Sequence, residues 1–131
     1  MYLFQKKHAM IKIIVGTNRK NSVSKTIAEL YQSILTEKGV LSEILELENL
    51  PSDFIENALY ENNGKHELYN EFHNQLVDGK KFVFIVPEYN GSFPGILKTF
   101  IDGMTYPNTF RNKKCALVGI SSGIGGGGIA M

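Results

Sequence analysis

Thr17, Arg19, Ser22 and Ser24 place three hydroxyls and one guanidinium in a short polar stretch, all able to donate hydrogen bonds to an anionic oxygen. They follow the apolar run Ile11–Val15 and Gly16. After them Val23, Ile27, Leu30, Ile34 and Leu35 recur at helical spacing and mark one face. A loop between a strand end and a helix start offers unbonded backbone N–H groups and the positive end of the helix dipole. This is chemistry suited to a phosphate. No glycine follows Gly16 in the loop, so it is not a nucleoside-triphosphate loop. On these residues alone, a plain helix cap by Ser22 and Ser24 with a solvated Arg19 accounts for the loop equally well. Its place after the first strand favours the phosphate.

A second stretch carries comparable information. Phe82-Val83-Phe84-Ile85-Val86 is an unbroken apolar run, as in a strand buried on both faces of a parallel sheet. Pro87 to Gly95 is then crowded with turn formers. Pro94 suits the first position of a helix, with Ser92 close to a cap position. Ile96, Leu97, Phe100, Ile101 and Met104 keep one side of that helix apolar. In an open α/β sheet such a loop lies at the carboxyl end of its strand, where ligands bind.

The run Pro87-Glu88-Tyr89-Asn90-Gly91-Ser92-Phe93-Pro94-Gly95-Ile96-Leu97-Lys98 resembles the flavin-ring loop of the flavodoxin-like NAD(P)H-dependent FMN reductases. The pattern Gly-Thr-x-Arg-x-x-Ser-x-Ser from Gly16 resembles the phosphate loop of the same family. That family often has Ser where Thr17 stands and Asn where Ser24 stands, and both changes keep a donor. The resemblance implies FMN as cofactor, NADH or NADPH as co-substrate, and transfer of electrons to a small-molecule acceptor. Quinones, azo dyes, nitro compounds, metal ions and free flavin are the acceptors it brings in. It assigns Thr17, Arg19, Ser22, Val23 and Ser24 to the phosphate, and Pro87, Glu88, Tyr89, Asn90, Gly91 and Ser92 to the ring. Backbone N–H groups from Glu88 to Gly91 would meet the pyrimidine edge, Tyr89 would bound the ring, and Pro87 would fix the loop's exit from its strand. No acid–base pair is required, since the flavin carries the chemistry. A homodimer or homotetramer through the helix after Gly95 is implied too. The alternatives are a flavodoxin-type electron carrier and a shortened FMN-binding remnant without catalysis. Near-neutral charge and Arg19 speak against the carrier.

Length and composition narrow the setting. A chain of 131 residues is the size of one domain with one core. A net charge of +1 gives no basic surface for nucleic acid or anionic lipid. No apolar run approaches a membrane span, and the first residues lack the pattern of a secretory signal. Met10 could be a start, leaving residues 1–9 as a loose arm. Cys115, the single cysteine, sits in an apolar run and reads as a buried packing residue. Together these features fit the cytoplasm.

The remaining elements follow in order. Val40 to Leu47 reads as a strand near an edge, and Asp53 to Lys65 as a loop holding one helical turn. Glu67 to Val77 reads as a helix with Leu68, Phe72, Leu76 and Tyr69 facing inward. His66 and His73 have no nucleophile or acid beside them in sequence and are set aside. No tight acidic or His/Cys cluster points to a metal. Cys115 to Ile120 reads as a fourth strand. Gly123 to Gly128 formally matches G-x-G-x-x-G, but the helix and acidic residue that this motif needs do not follow. The segment resembles instead the Ser-x-Gly-x-x-Gly-Gly loop that the FMN reductase family carries after its fourth strand, which would close over one side of the flavin. The expected fold is thus α/β: a flavodoxin-like, three-layer α/β/α domain over residues 1–131 with a parallel sheet in the order 2-1-3-4. A flavodoxin-like domain normally has five strands, so the fifth is read as missing and the chain as shortened at its C-terminus. The fourth strand would then be an edge.

Overall fold

A computed structural model describes residues 10–131. The arm expected at residues 1–9 lies outside the described residues. Four strands, β1 (Ile11–Val15), β2 (Ser42–Glu46), β3 (Lys81–Pro87) and β4 (Lys114–Ile120), form one parallel sheet in the order β2-β1-β3-β4. The helices are α1 (Val23–Glu37), α2 (Phe54–Asn57), α3 (Glu67–Asp78) and α4 (Gly95–Asp102). Alternation along the central strands divides the core into two layers. Ile13, Val15, Val83 and Ile85 pack under α1 with Ala28, Ile27, Tyr31 and Leu35. Ile14, Phe82, Phe84 and Val86 pack on the other face with residues of α2, α3 and α4, among them Phe54, Tyr69, Leu76, Leu97 and Phe100. The strand order and the three layers are those expected from the sequence.

β1 and β3 are adjacent, with Val15 opposite Ile85, and β3 and β4 are adjacent, with Pro87 opposite Ile120. The carboxyl ends of three neighbouring strands therefore open on the same rim. Gly16 allows this closeness. Its N–H donates to the Ile85 carbonyl at 2.9 Å, and a Cβ there would stand 2.9 Å from that same oxygen and 3.2 Å from Leu97.

Several side-chain expectations are corrected. Cys115 is exposed, because β4 is the outer strand and no described helix lies over its Cys115–Leu117 part. On α3, Leu68 is 58% exposed and Tyr69 fully buried. Tyr69, Phe72 and Leu76 meet the core as expected, and only Leu68 falls outside the buried face. On α1, Val23, Leu30 and Ile34 are exposed, while Ser24 and Ala28 are buried beneath the helix. Small residues let α1 lie close to the sheet and leave part of its aliphatic face outward. Ser92 does not cap α4; Pro94 holds that position, with no side-chain hydrogen bond. The segment after β2 forms the single turn α2, yet Phe54, Ala58 and Leu59 in and beside it are core residues.

Tyr69 joins these elements. Its ring stacks on Phe54 at 5.5 Å and meets Phe100 edge-on at 6.2 Å, and its hydroxyl donates to the Phe100 carbonyl at 3.0 Å. Burial, with the Asp102 carboxylate adding to it, pushes its pKa well above the ordinary value near 10. The folded state therefore favours the neutral phenol. The contribution is fully present below about pH 10, where tyrosine in the unfolded chain is still protonated, and falls away as pH rises beyond it. The melting temperature should accordingly drop more steeply between pH 9.5 and about 11 for the native chain than for Tyr69→Phe. At neutral pH the variant loses about 0.5–1.5 kcal/mol with the hydrogen bond. Equal slopes would remove Tyr69 from the alkaline response.

Candidate functional site

The first loop leaves β1 at Gly16 and enters α1 at Ser22. Ser22 is the N-cap: its backbone is extended, and its hydroxyl oxygen accepts from the Lys25 N–H at 3.2 Å. That bond leaves the Ser22 hydroxyl hydrogen free to donate outward. The N–H groups of Val23 and Ser24, at the start of the helix, have no protein partner among the described residues. No acidic residue stands in the first turn of this 15-residue helix, and Arg19 and Lys20 are exposed beside it. Free amides and the helix dipole at the start of α1, with a guanidinium in the loop that leads to it, make a donor set that fits a phosphate. The Val23 side chain is 65% exposed, so what Val23 offers here is its backbone. Ser24 lies buried under the helix at 2% exposure.

Thr17 differs from its expected role as an open donor. It is fully buried, its Oγ1 lies 2.7 Å from the Tyr89 hydroxyl, and it also accepts from the Arg19 N–H at 3.2 Å. The hydroxyl is spent within the protein and fixes the loop.

The second loop leaves β3 at Pro87, which is buried inside the strand. Tyr89 and Ser92 then exchange backbone hydrogen bonds, Tyr89 N–H to Ser92 O at 2.8 Å and Ser92 N–H to Tyr89 O at 3.2 Å. Between them Asn90 and Gly91 both have positive φ, 52° and 76°. Two left-handed residues in succession close a tight turn, and Asn-Gly is the pair that tolerates this best. The expectation that four amides from Glu88 to Gly91 face outward is narrowed accordingly. Glu88 N–H donates to Ile120 O at 2.7 Å, Tyr89 N–H is bound to Ser92, and Gly91 N–H donates to Glu88 Oε1 at 2.6 Å. The Asn90 N–H has no partner among the described residues.

A third segment takes part, the glycine-rich stretch after β4, through a contact with Glu88 that sequence reasoning did not identify. The Ser121 hydroxyl donates to Glu88 Oε2 at 3.0 Å and accepts from the Gly123 N–H at 3.0 Å. Glu88 therefore ties the turn after β3 to the glycine-rich segment after β4. No local spacing signals a contact between residues 33 apart; only adjacency of the two strands brings it about. The glycine-rich segment itself ends in a short 3-10 turn, Gly128–Ala130, with Ala130 buried in the core.

The two loops meet through Tyr89. Besides its bond to Thr17, its ring has the Arg19 guanidinium 5.9 Å from the centroid, within cation–π range. A hollow beside α4, bordered by Ile101, Met104, Tyr106 and Phe110, includes no residue of either loop. The donor-rich rim, not that hollow, has the chemistry for a mononucleotide.

Comparison with known proteins agrees with this geometry. The profile of a family described as NADPH-dependent FMN reductase matches residues 9–131. A quinone reductase of Pseudomonas putida is 30% identical over 120 residues, covering 89% of this chain and 62% of that protein. A 2-hydroxy-1,4-benzoquinone reductase of a Burkholderia species is 29% identical, covering 92% and 64%. Among solved structures, the flavoenzyme NAD(P)H:(acceptor) oxidoreductase FerB from Paracoccus denitrificans superposes with a TM-score of 0.71 at 25% identity, covering 93% of this chain and 66% of that one. The chain spans somewhat under two thirds of the length of the curated relatives it matches.

Proposed function

Since this chain belongs to the NADPH-dependent FMN reductase family, we propose that it binds FMN across the tips of β1 and β3 and serves as an NAD(P)H-dependent oxidoreductase. The observation that carries this reading is the Thr17–Tyr89 hydrogen bond, which joins the anion-suited loop to the turn after β3 at one rim of the sheet. The phosphate would be held by Arg19, the Ser22 hydroxyl and the Val23 and Ser24 amides. The ring would lie against the backbone of Tyr89, Asn90 and Gly91, with the Asn90 N–H as its free donor, and Ser92 closes that turn. FMN, when bound, supplies the ability to take a hydride from NADH or NADPH and give electrons to a small acceptor. The protein's share is placement. Glu88 fixes the turn from one side through Gly91 and Ser121, and Tyr89 fixes it from the other through Thr17.

Quinones are the acceptor class that the curated relatives' names bring forward, and the same reading extends to this chain as one domain. Assembly as a homodimer or homotetramer and action in the cytoplasm belong to the proposal as well. No helix among the described residues is long and apolar enough to cross a membrane. The test is a titration of the purified chain with FMN, read by the visible spectrum, followed by NADH and NADPH without oxygen. The expected result is a saturable shift of the flavin bands and then their bleaching by at least one nicotinamide. A flavin spectrum unchanged by the protein would remove FMN; a bound flavin that neither nicotinamide bleaches would leave a carrier rather than a reductase.

A further inference from the structure

Tyr89 belongs by sequence to the ring loop, yet its side chain spends its polar atom on the other loop. The hydroxyl reaches Thr17 Oγ1 at 2.7 Å; Thr17 is fully buried and Tyr89 half-buried, so this bond is partly screened from competing water. Thr17 in turn receives the Arg19 N–H at 3.2 Å, which sets the direction in which the chain leaves β1. Across the same tyrosine lies the Arg19 guanidinium, 5.9 Å from the ring centroid. Tyr89 therefore meets the Arg19 side chain directly and its backbone through Thr17, in the loop that leads to the free Val23 and Ser24 amides. Tyr89 is itself held, through its paired bonds with Ser92 around the Asn90–Gly91 turn.

We propose that the Tyr89 hydroxyl is a specificity-determining group for the phosphate end of the ligand: by clasping Thr17 it preorganises Arg19, and so makes the chain discriminate FMN from riboflavin. The inference rests on the FMN reading above but goes beyond it, since it gives a residue of the ring loop an effect on the tail. A long arginine side chain loses much rotamer freedom when it binds an anion. Holding it in place beforehand moves that loss from the binding step to folding. Riboflavin lacks the phosphate and gains nothing from the ordering of Arg19.

The experiment titrates FMN and riboflavin against the native chain, Tyr89→Phe, Thr17→Val and the double variant, following flavin fluorescence. Phenylalanine keeps the ring and its face toward Arg19 and removes only the hydroxyl. The expected result is an FMN Kd raised about tenfold by Tyr89→Phe and a riboflavin Kd, which feels only the loosened ring turn, raised several-fold less, so that the preference for FMN over riboflavin falls. Thr17→Val should weaken FMN binding at least as much, since it also removes the acceptor of the Arg19 N–H, and the double variant should be no weaker than Thr17→Val alone, because the Thr17–Tyr89 bond is already lost there. Riboflavin binding that persists in each variant also shows that it is folded. Two outcomes would overturn the clasp: FMN and riboflavin losing affinity in equal proportion, or single effects that multiply in the double variant. A native chain that binds both ligands equally would fell the phosphate assignment itself, and the clasp with it. A native preference for FMN that survives Tyr89→Phe would fell the clasp alone.

Discussion

Replacing Arg19 by alanine is expected to weaken FMN binding by about 1.5–3 kcal/mol, roughly ten- to a hundredfold in Kd. Arg19 is exposed, so the change removes no core packing, and the chain should melt at nearly its native temperature. Its guanidinium is, among the described residues, the one cationic group that lies over the Tyr89 ring. Lys20 provides the internal control. It is exposed and carries the same charge one residue on, but no side-chain hydrogen bond or aromatic contact fixes it among the described residues. Lys20→Ala should therefore act mainly through screened charge and lose most of its effect in high salt. Arg19→Ala should keep most of its effect there. An FMN dissociation constant that Arg19→Ala leaves unchanged would remove this residue from the site.

The second large effect is on stability. Phe100→Ala should cost about 3–5 kcal/mol, the range for emptying a fully buried aromatic position. Phe100 has no exposed surface, meets the edge of Tyr69, and lies in the same cluster as Leu97, Phe82 and Phe84. Its carbonyl also accepts the Tyr69 hydroxyl, so a shift of α4 into the vacated space would strain that bond. Denaturant unfolding of both proteins, with the slopes compared, measures the loss. A loss below about 1 kcal/mol would mean that the layer under α4 rearranges to fill the hole.

The main lines of the fold were legible because each strand and the longer helices have local signals. Phe82–Val86 reads as a doubly covered strand, and the order of the strands came with the resemblance to a flavodoxin-like fold. Both loops were legible from composition. What escaped was set by contacts between elements. Leu68 and Tyr69 are neighbours that a weakly amphipathic helix could bury in either order, and the stacking of Tyr69 on Phe54 decides it. Cys115 looked buried because its neighbours are apolar, yet exposure depends on what lies across the sheet, which a strand's own residues do not record. In the same way the donor count of the ring loop was read too high. The Glu88 carboxylate and the Ile120 carbonyl, one on a flexible side chain and one on another strand, take two of its amides.

The pairing of β1 with β3 has a kinetic corollary. Thr17 and Tyr89 are 72 residues apart in sequence, and neither loop holds the other until the middle of the sheet has zipped together. A chain in which β1 and β3 are unpaired offers no assembled site, since nothing else among the described residues offsets the entropy of bringing the two loops together. Any mononucleotide captured there would act as a chaperone of the finished state, protecting against unfolding strands far from the rim it touches.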